Sequence, residues 1–156
     1  MKKITMLVMV AFAAISFIGC AASGTRVKVP SNLGSEFKVI DKGNRVYNIR
    51  TSELHKWKPS ERVSVAMRAI DFAKRYGKAN GYKYMAIVNE GTNNLSGFPI
   101  NDSRSMKKYL SLYKTKNYNP KAIQGSGRDA IIKNGALNLK VSYFKSSIPG
   151  MFLWKI

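Results

Sequence analysis

Few side chains here can do chemistry. The one histidine, His55, stands in Glu53-Leu54-His55-Lys56-Trp57, and the one thiol, Cys20, closes Ile15-Ser16-Phe17-Ile18-Gly19-Cys20. Zinc held by histidine and cysteine takes three or four such ligands, and a thiolate nucleophile needs a partner base, so with no second histidine and no free thiol expected in the mature chain neither a His/Cys zinc site nor a Cys-His pair can be assembled. A serine triad would have to use His55, and no Gly-x-Ser-x-Gly elbow accompanies it. His55 therefore reads as a loop residue beside Trp57. The eight acidic residues are scattered and offer no paired acid and base of glycosidase type. Gly125-Ser126-Gly127-Arg128-Asp129 has two of the glycines of a phosphate cradle but lacks the Lys-Ser/Thr of a P-loop, and reads as a loop. These absences argue for a non-enzymatic chain with no cofactor and no metal.

One segment points to binding. Lys107 to Lys121 reads KKYLSLYKTKNYNPK, interleaving cations with tyrosines. Lys107, Lys108, Lys114 and Lys116 would attract an anion, while Tyr109 and Tyr113 would stack on a base or a sugar. The same interleaving arises when tyrosine faces a core and lysine faces water, so both readings stand. A weaker basic cluster is Lys56, Lys58 and Arg62 near Trp57.

Charge is the strongest compositional signal. Lys and Arg number 27 against 8 Asp and Glu, for a net +19 in 156 residues. Acid depletion on this scale favours anionic surroundings. It disfavours a role in inhibiting lysozymes, which are themselves basic and would be repelled.

The start of the chain suggests where those surroundings lie. Lys2 and Lys3 precede an apolar run from Ile4 to Ile18, which is shorter than the roughly 20 residues that span a bilayer and is followed at once by polar sequence. This is the layout of a secretory signal with a small-residue processing site. Phe17-Ile18-Gly19-Cys20 resembles the lipobox of bacterial lipoproteins. That resemblance implies cleavage before Cys20 and lipidation of its thiol and amine, with palmitate among the acyl chains. Two or three chains, at about 0.8 kcal/mol per buried CH₂, hold a protein on a membrane essentially permanently. The alternative is an ordinary signal cut further on, after Ala22. An internal disulfide is excluded because there is no second cysteine. Ala21 after the cysteine resembles lipoproteins sent to the outer membrane, with the periplasm or cell surface as the compartment.

The domain boundaries follow. Residues 1–19 form the signal, 20–34 a flexible lipidated tether reaching roughly 20 Å as a coil, and 35–156 a single domain. Removing the first 19 of 156 residues leaves 137 and, with Lys2 and Lys3 gone, takes the charge from +19 to +17. That length suits one compact core.

Positioning elements are read from periodicity. Phe37 to Ile40 and Arg45 to Arg50 alternate about Asp41-Lys42-Gly43-Asn44, predicting a hairpin. Ser60 is the expected cap of a helix over 61–80 that Gly81 stops. Its apolar stripe is Val63, Met67, Ile70 and Ala73, widened by Ala69, Phe72 and Tyr76, with Arg68, Asp71 and Arg75 as an ion-pair ladder opposite. Tyr82 to Val88 reads as a covered strand. Asn101-Asp102-Ser103 can cap a second helix carrying Met106, Tyr109, Leu110 and Tyr113, although Leu110 and Leu112 also fit a strand. Residues 115–127 read as a polar excursion. Leu137, Leu139, Val141 and Tyr143 alternate with Asn138, Lys140 and Ser142. Pro149-Gly150 fits a type II turn into a last strand over Met151 to Ile156, either core or an exposed docking patch, with core favoured.

The expected class is α+β: a small antiparallel or mixed sheet with one long and one short helix, in the order β-β-α-β-α-β-β. The expected function is a membrane-anchored envelope lipoprotein. Its partner would be an anionic envelope polymer or lipopolysaccharide, or an envelope protein complex. Nucleic-acid binding in DNA uptake or conjugation is the alternative.

Overall fold

A computed structural model describes residues 24–51, 53, 55, 57–89, 92, 100–112, 130–133 and 135–156. The signal and lipobox residues, Cys20 included, lie outside the described residues. So do the 115–127 excursion and the Gly125–Asp129 stretch.

The class is α+β, as the alternation and helical spacing predict. In chain order the elements are β1 (Thr25–Val27), a 3₁₀ turn (Ser31–Leu33), β2 (Phe37–Asp41), β3 (Val46–Thr51), α1 (Pro59–Ala79), β4 (Tyr84–Ile87), α2 (Ser103–Leu112), β5 (Ile132–Lys133), β6 (Ala136–Leu137), β7 (Leu139–Phe144) and β8 (Trp154–Lys155). Six strands make one sheet in the order β1-β2-β3-β7-β4-β8, and β5 and β6 pair separately. Every pairing is antiparallel. Strand β7 therefore fills the gap between β3 and β4, which run parallel to each other and are joined through α1.

Strand alternation sends one set of side chains to a helical layer. Val39 pairs with Ile49, Ile49 with Leu139, Ile87 with Val141 and Met85 with both Tyr143 and Trp154. All eight are buried in one core. Helix α1 closes that face with Val65, Ala66, Ala69, Ile70, Phe72, Ala73 and Tyr76, spaced to follow a 3.6-residue period. Phe72 packs on Phe37, and Tyr76 on Tyr47. The stripe sits slightly around the helix from the expected one, since Val63 and Met67 are only partly buried. Helix α2 packs on α1 and adds Met106 and Tyr109 to the same core.

Contact between α1 and the sheet depends on Gly77, where a Cβ would collide with the Tyr143 ring and Ile156. The Tyr143 hydroxyl donates to the Ala73 carbonyl at 2.6 Å, which pins the ring there.

Local expectations are corrected in three places. The cap of α1 is Lys58 rather than Ser60, because Pro59 takes the first helical position and the Glu61 carboxylate accepts the Lys58 N–H at 2.7 Å. Arg68 leaves the ladder: it grips Glu36 from the segment before β2 through Nε at 3.1 Å and Nη2 at 2.8 Å, while Arg75 keeps a looser 3.7 Å contact with Asp71. The 20–34 segment is not a coil over its described part. Thr25–Val27 pairs with Val39–Asp41, and Val27, Val29 and Leu33 pack on the core, so burial of three apolar side chains pulls the domain boundary back toward residue 24.

Two strand readings shorten: Leu137 belongs to β6 of the two-stranded sheet while β7 begins at Leu139, and the last strand spans only Trp154–Lys155. Other local readings hold. The expected helix-stopping residue, Gly81, adopts φ +77° just beyond α1. Asp102 caps α2 by accepting the Ser105 N–H at 2.7 Å, and this interaction holds its carboxyl below the usual range. Met151 N–H bonds the Ile148 carbonyl across Pro149-Gly150, with Gly150 at φ +75°, as a type II turn requires. The tail then pairs as β8, and Trp154 is buried with the Lys74 ammonium 4.3 Å above its ring.

Candidate functional site

Alternation fixes what the other face of the sheet carries. With Val39, Ile49, Val141 and Met85 on the core side, residues Arg26, Lys38, Ile40, Lys42, Val46, Asn48, Arg50, Lys140, Ser142, Phe144, Tyr84 and Ala86 belong to the opposite side. Register assembles them into rows. One row crosses four strands as Arg26, Ile40, Asn48 and Lys140. The next places Lys38 directly opposite Arg50. On the other flank Lys42 donates its N–H to the Val46 carbonyl, and the row continues through Ser142 to Ala86. At strand spacings of about 4.8 Å and two-residue repeats of roughly 7 Å, five cations share a patch about 14 Å on a side.

Like charges placed opposite one another destabilise a sheet. Lys38 and Arg50 are such a pair by register. Burial first, then the charges of Arg50 and Lys140, hold the Lys42 ammonium below the usual lysine value. The Arg50 Nε is buried and has no hydrogen-bond acceptor. Asn48, 1% exposed, donates from Nδ2 to the Asn138 Oδ1 at 2.7 Å and leaves its own Oδ1 without a donor. Asn138 and Asn89 brace this floor: Asn89 Nδ2 donates to the Asn138 carbonyl at 2.8 Å, and Asn89 Oδ1 accepts the Lys140 N–H at 2.7 Å.

The described carboxylates sit elsewhere. Glu36 is held by Arg68, Glu61 and Asp71 ride α1, Asp102 caps α2, and Glu53 lines a cleft with Trp57 and Val65. Asp41 lies on the core side, where it helps raise the Tyr47 and Tyr76 phenols. Farther along the same side of the sheet, where Asn48, Ser142 and Ala86 are buried, Tyr84 pairs with both Phe144 and Lys155.

The residues singled out from sequence are distributed differently. Lys107 and Lys108 are exposed on α2, in the helical layer, but Tyr109 is fully buried and unavailable for stacking. That is a correction, and its cause is amphipathicity: Met106 and Tyr109, three apart, form the face α2 turns to the core. Tyr113, Lys114 and Lys116 lie outside the described residues. His55 does sit beside Trp57, with ring centroids 5.6 Å apart, and its N–H bonds the Gly135 carbonyl. Both line a cleft of about 340 Å³ with Glu36, Glu53 and Arg68. Arg62 Nε reaches the Trp57 carbonyl at 3.4 Å; Lys56 lies outside the described residues. Among the described residues, no group of three or more His, Cys, Asp and Glu side chains is placed to hold a metal ion, and no helix is long and apolar enough to cross a membrane.

Comparison with protein families, curated proteins and solved structures finds no match to this chain.

Proposed function

We propose that this chain is a lipid-anchored protein of the cell envelope, non-enzymatic, that uses its basic surface to hold an anionic envelope component. The observation that carries the reading is the excess of 27 Lys and Arg over 8 Asp and Glu, part of which strand register gathers on one side of the sheet, where Lys38 stands opposite Arg50 and Lys140 follows on the next strand. The anchor rests on Cys20 and its lipobox-like setting, with the outer membrane as the expected site.

Tyr84 and Phe144 favour a second reading, because aromatic faces beside cations also suit a single nucleic-acid strand. Salt dependence distinguishes that polymer, whose binding falls with a log-log slope of about −0.7 per phosphate contact. The test of the main reading has two parts. Cys20→Ser should move the protein from the membrane fraction to the soluble one, and the mature chain should retain purified anionic envelope material at low salt and release it at high salt. A Cys20→Ser protein still wholly in the membrane fraction contradicts the anchor. Failure to retain any anionic material contradicts the binding face.

A further inference from the structure

The cleft beside Trp57 gathers the scarcest side chains of this chain. The sole histidine, one of the two tryptophans and two of the eight acidic residues, Glu36 and Glu53, line it together with Arg68. Its volume of about 340 Å³ lies near the lower end for ligand pockets, which starts at about 300 Å³, so it suits one ring rather than a long chain.

The loop that carries these groups is tied down at three backbone atoms. Thr51 Oγ1 donates to the Glu53 carbonyl at 2.8 Å, the His55 N–H donates to the Gly135 carbonyl at 3.2 Å, and Arg62 Nε reaches the Trp57 carbonyl at 3.4 Å. Gly135 permits this approach: its φ is +76°, and a Cβ there would lie 2.8 Å from the His55 carbonyl oxygen. Across the cleft Arg68 grips Glu36. The main chain of the loop is therefore held, while the Glu53 carboxylate and the His55 imidazole make no hydrogen bond among the described residues. Polar groups positioned by their backbone and left unused are what a preorganised binding site requires.

These groups select the ligand. Trp57 packs partly on the core and offers the cleft an aromatic surface. Carboxylates only accept hydrogen bonds and a guanidinium only donates them, so a ligand with hydroxyls, which do both, satisfies both walls. Two carboxylates oppose a phosphate in this cleft, and a net charge of +19 opposes a free cation. We infer that the cleft binds a gluco-configured pyranose of an envelope glycan, with the axial C–H face of the ring on Trp57 and ring hydroxyls on Glu53 and His55. The inference rests on the envelope reading for the source of the glycan, and adds to it a contact that does not depend on the cationic surface.

The test uses the full mature chain carrying Cys20→Ser, titrated calorimetrically with uncharged cellotriose and triacetylchitotriose at low and high salt. At least one sugar should bind, with an affinity that salt leaves unchanged. Glu53→Ala should weaken binding about tenfold, the scale of a lost hydrogen bond to a charged group, and Trp57→Ala should abolish it. Lys107→Met on α2 should have no effect.

Sugar binding that survives both cleft variants overturns the inference, as does binding of n-butylammonium in place of either sugar. No sugar binding by a chain that still retains anionic envelope material at low salt overturns the inference and leaves the proposed function standing. A chain that binds neither overturns both. A melting curve for each variant separates lost contact from lost fold, and Glu53→Ala, at an exposed side chain, decides the matter should Trp57→Ala fail to fold.

Discussion

Lys38 on β2 stands directly opposite Arg50 on β3, two cations in a single cross-strand pair near the middle of the sheet. Such a pair opposes folding by roughly 0.2–1 kcal/mol. Arg50→Met keeps the aliphatic stem, removes the charge and removes the buried Nε that has no acceptor. It should therefore raise the melting temperature by roughly 1–4 °C at low salt, and the gain should shrink as salt screens the repulsion. A lower melting temperature would mean that Arg50 supports the fold rather than straining it.

Gly77 offers a test on the opposite layer. Replacing glycine by alanine inside a helix ordinarily stabilises it by about 1 kcal/mol. Here the added methyl would meet the Tyr143 ring, fixed by its bond to Ala73, and Ile156. Gly77→Ala should instead lower stability by roughly 1–3 kcal/mol, the usual cost of overpacking, as read from urea unfolding.

The tail is tested through Trp154. Its pairing with Met85 and its burial make it part of the core, so Trp154→Ala should cost about 3 kcal/mol. An unchanged urea midpoint would return Met151 to Ile156 to the status of a docking patch.

The tyrosine cluster predicts behaviour at high pH. Burial, then a hydrogen bond with Tyr82, pushes the Tyr47 phenol up to about 12. Burial also raises Tyr76, and raises Tyr143 well above its usual value. Each holds its proton more tightly folded than unfolded, so the cluster adds stability that is complete below about pH 10 and is lost as pH climbs through the raised values. Lys42 acts with the opposite sign, since its lowered value means that deprotonation relieves a cost of folding. Tyrosine absorbance followed from pH 9 upward should show late ionisation of these phenols, coincident with unfolding. Ionisation of every tyrosine near pH 10 in a folded chain would contradict the cluster.

Sequence alone made the scaffold legible because its signals are local. Alternation through Leu139, Val141 and Tyr143, the i, i+3, i+4 spacing in α1, the Asp102 cap and the Pro149-Gly150 turn each decide one element within a few residues. The open face was not legible as a site. Lys38, Arg50 and Lys140 are ordinary solvent-side cations in their own strands, and only the register of β2 on β3 and of β3 on β7 brings them together. The available signal was parity, since all three fall on the side opposite the apolar set. The Lys-Tyr interleaving of residues 107–121 drew attention to α2, yet the stripe that makes it a helix buries Tyr109. Strand β1 was hidden by its three-residue length and its flanking Gly24 and Pro30.

Amide chemical-shift mapping of the mature chain, titrated with inorganic pyrophosphate at low salt, tests the central claim most directly. The account predicts shifts that concentrate on Arg26, Lys38, Lys42, Asn48, Arg50 and Lys140 and saturate together. Shifts centred on Lys107 and Lys108, or spread evenly over every exposed cation, would contradict it.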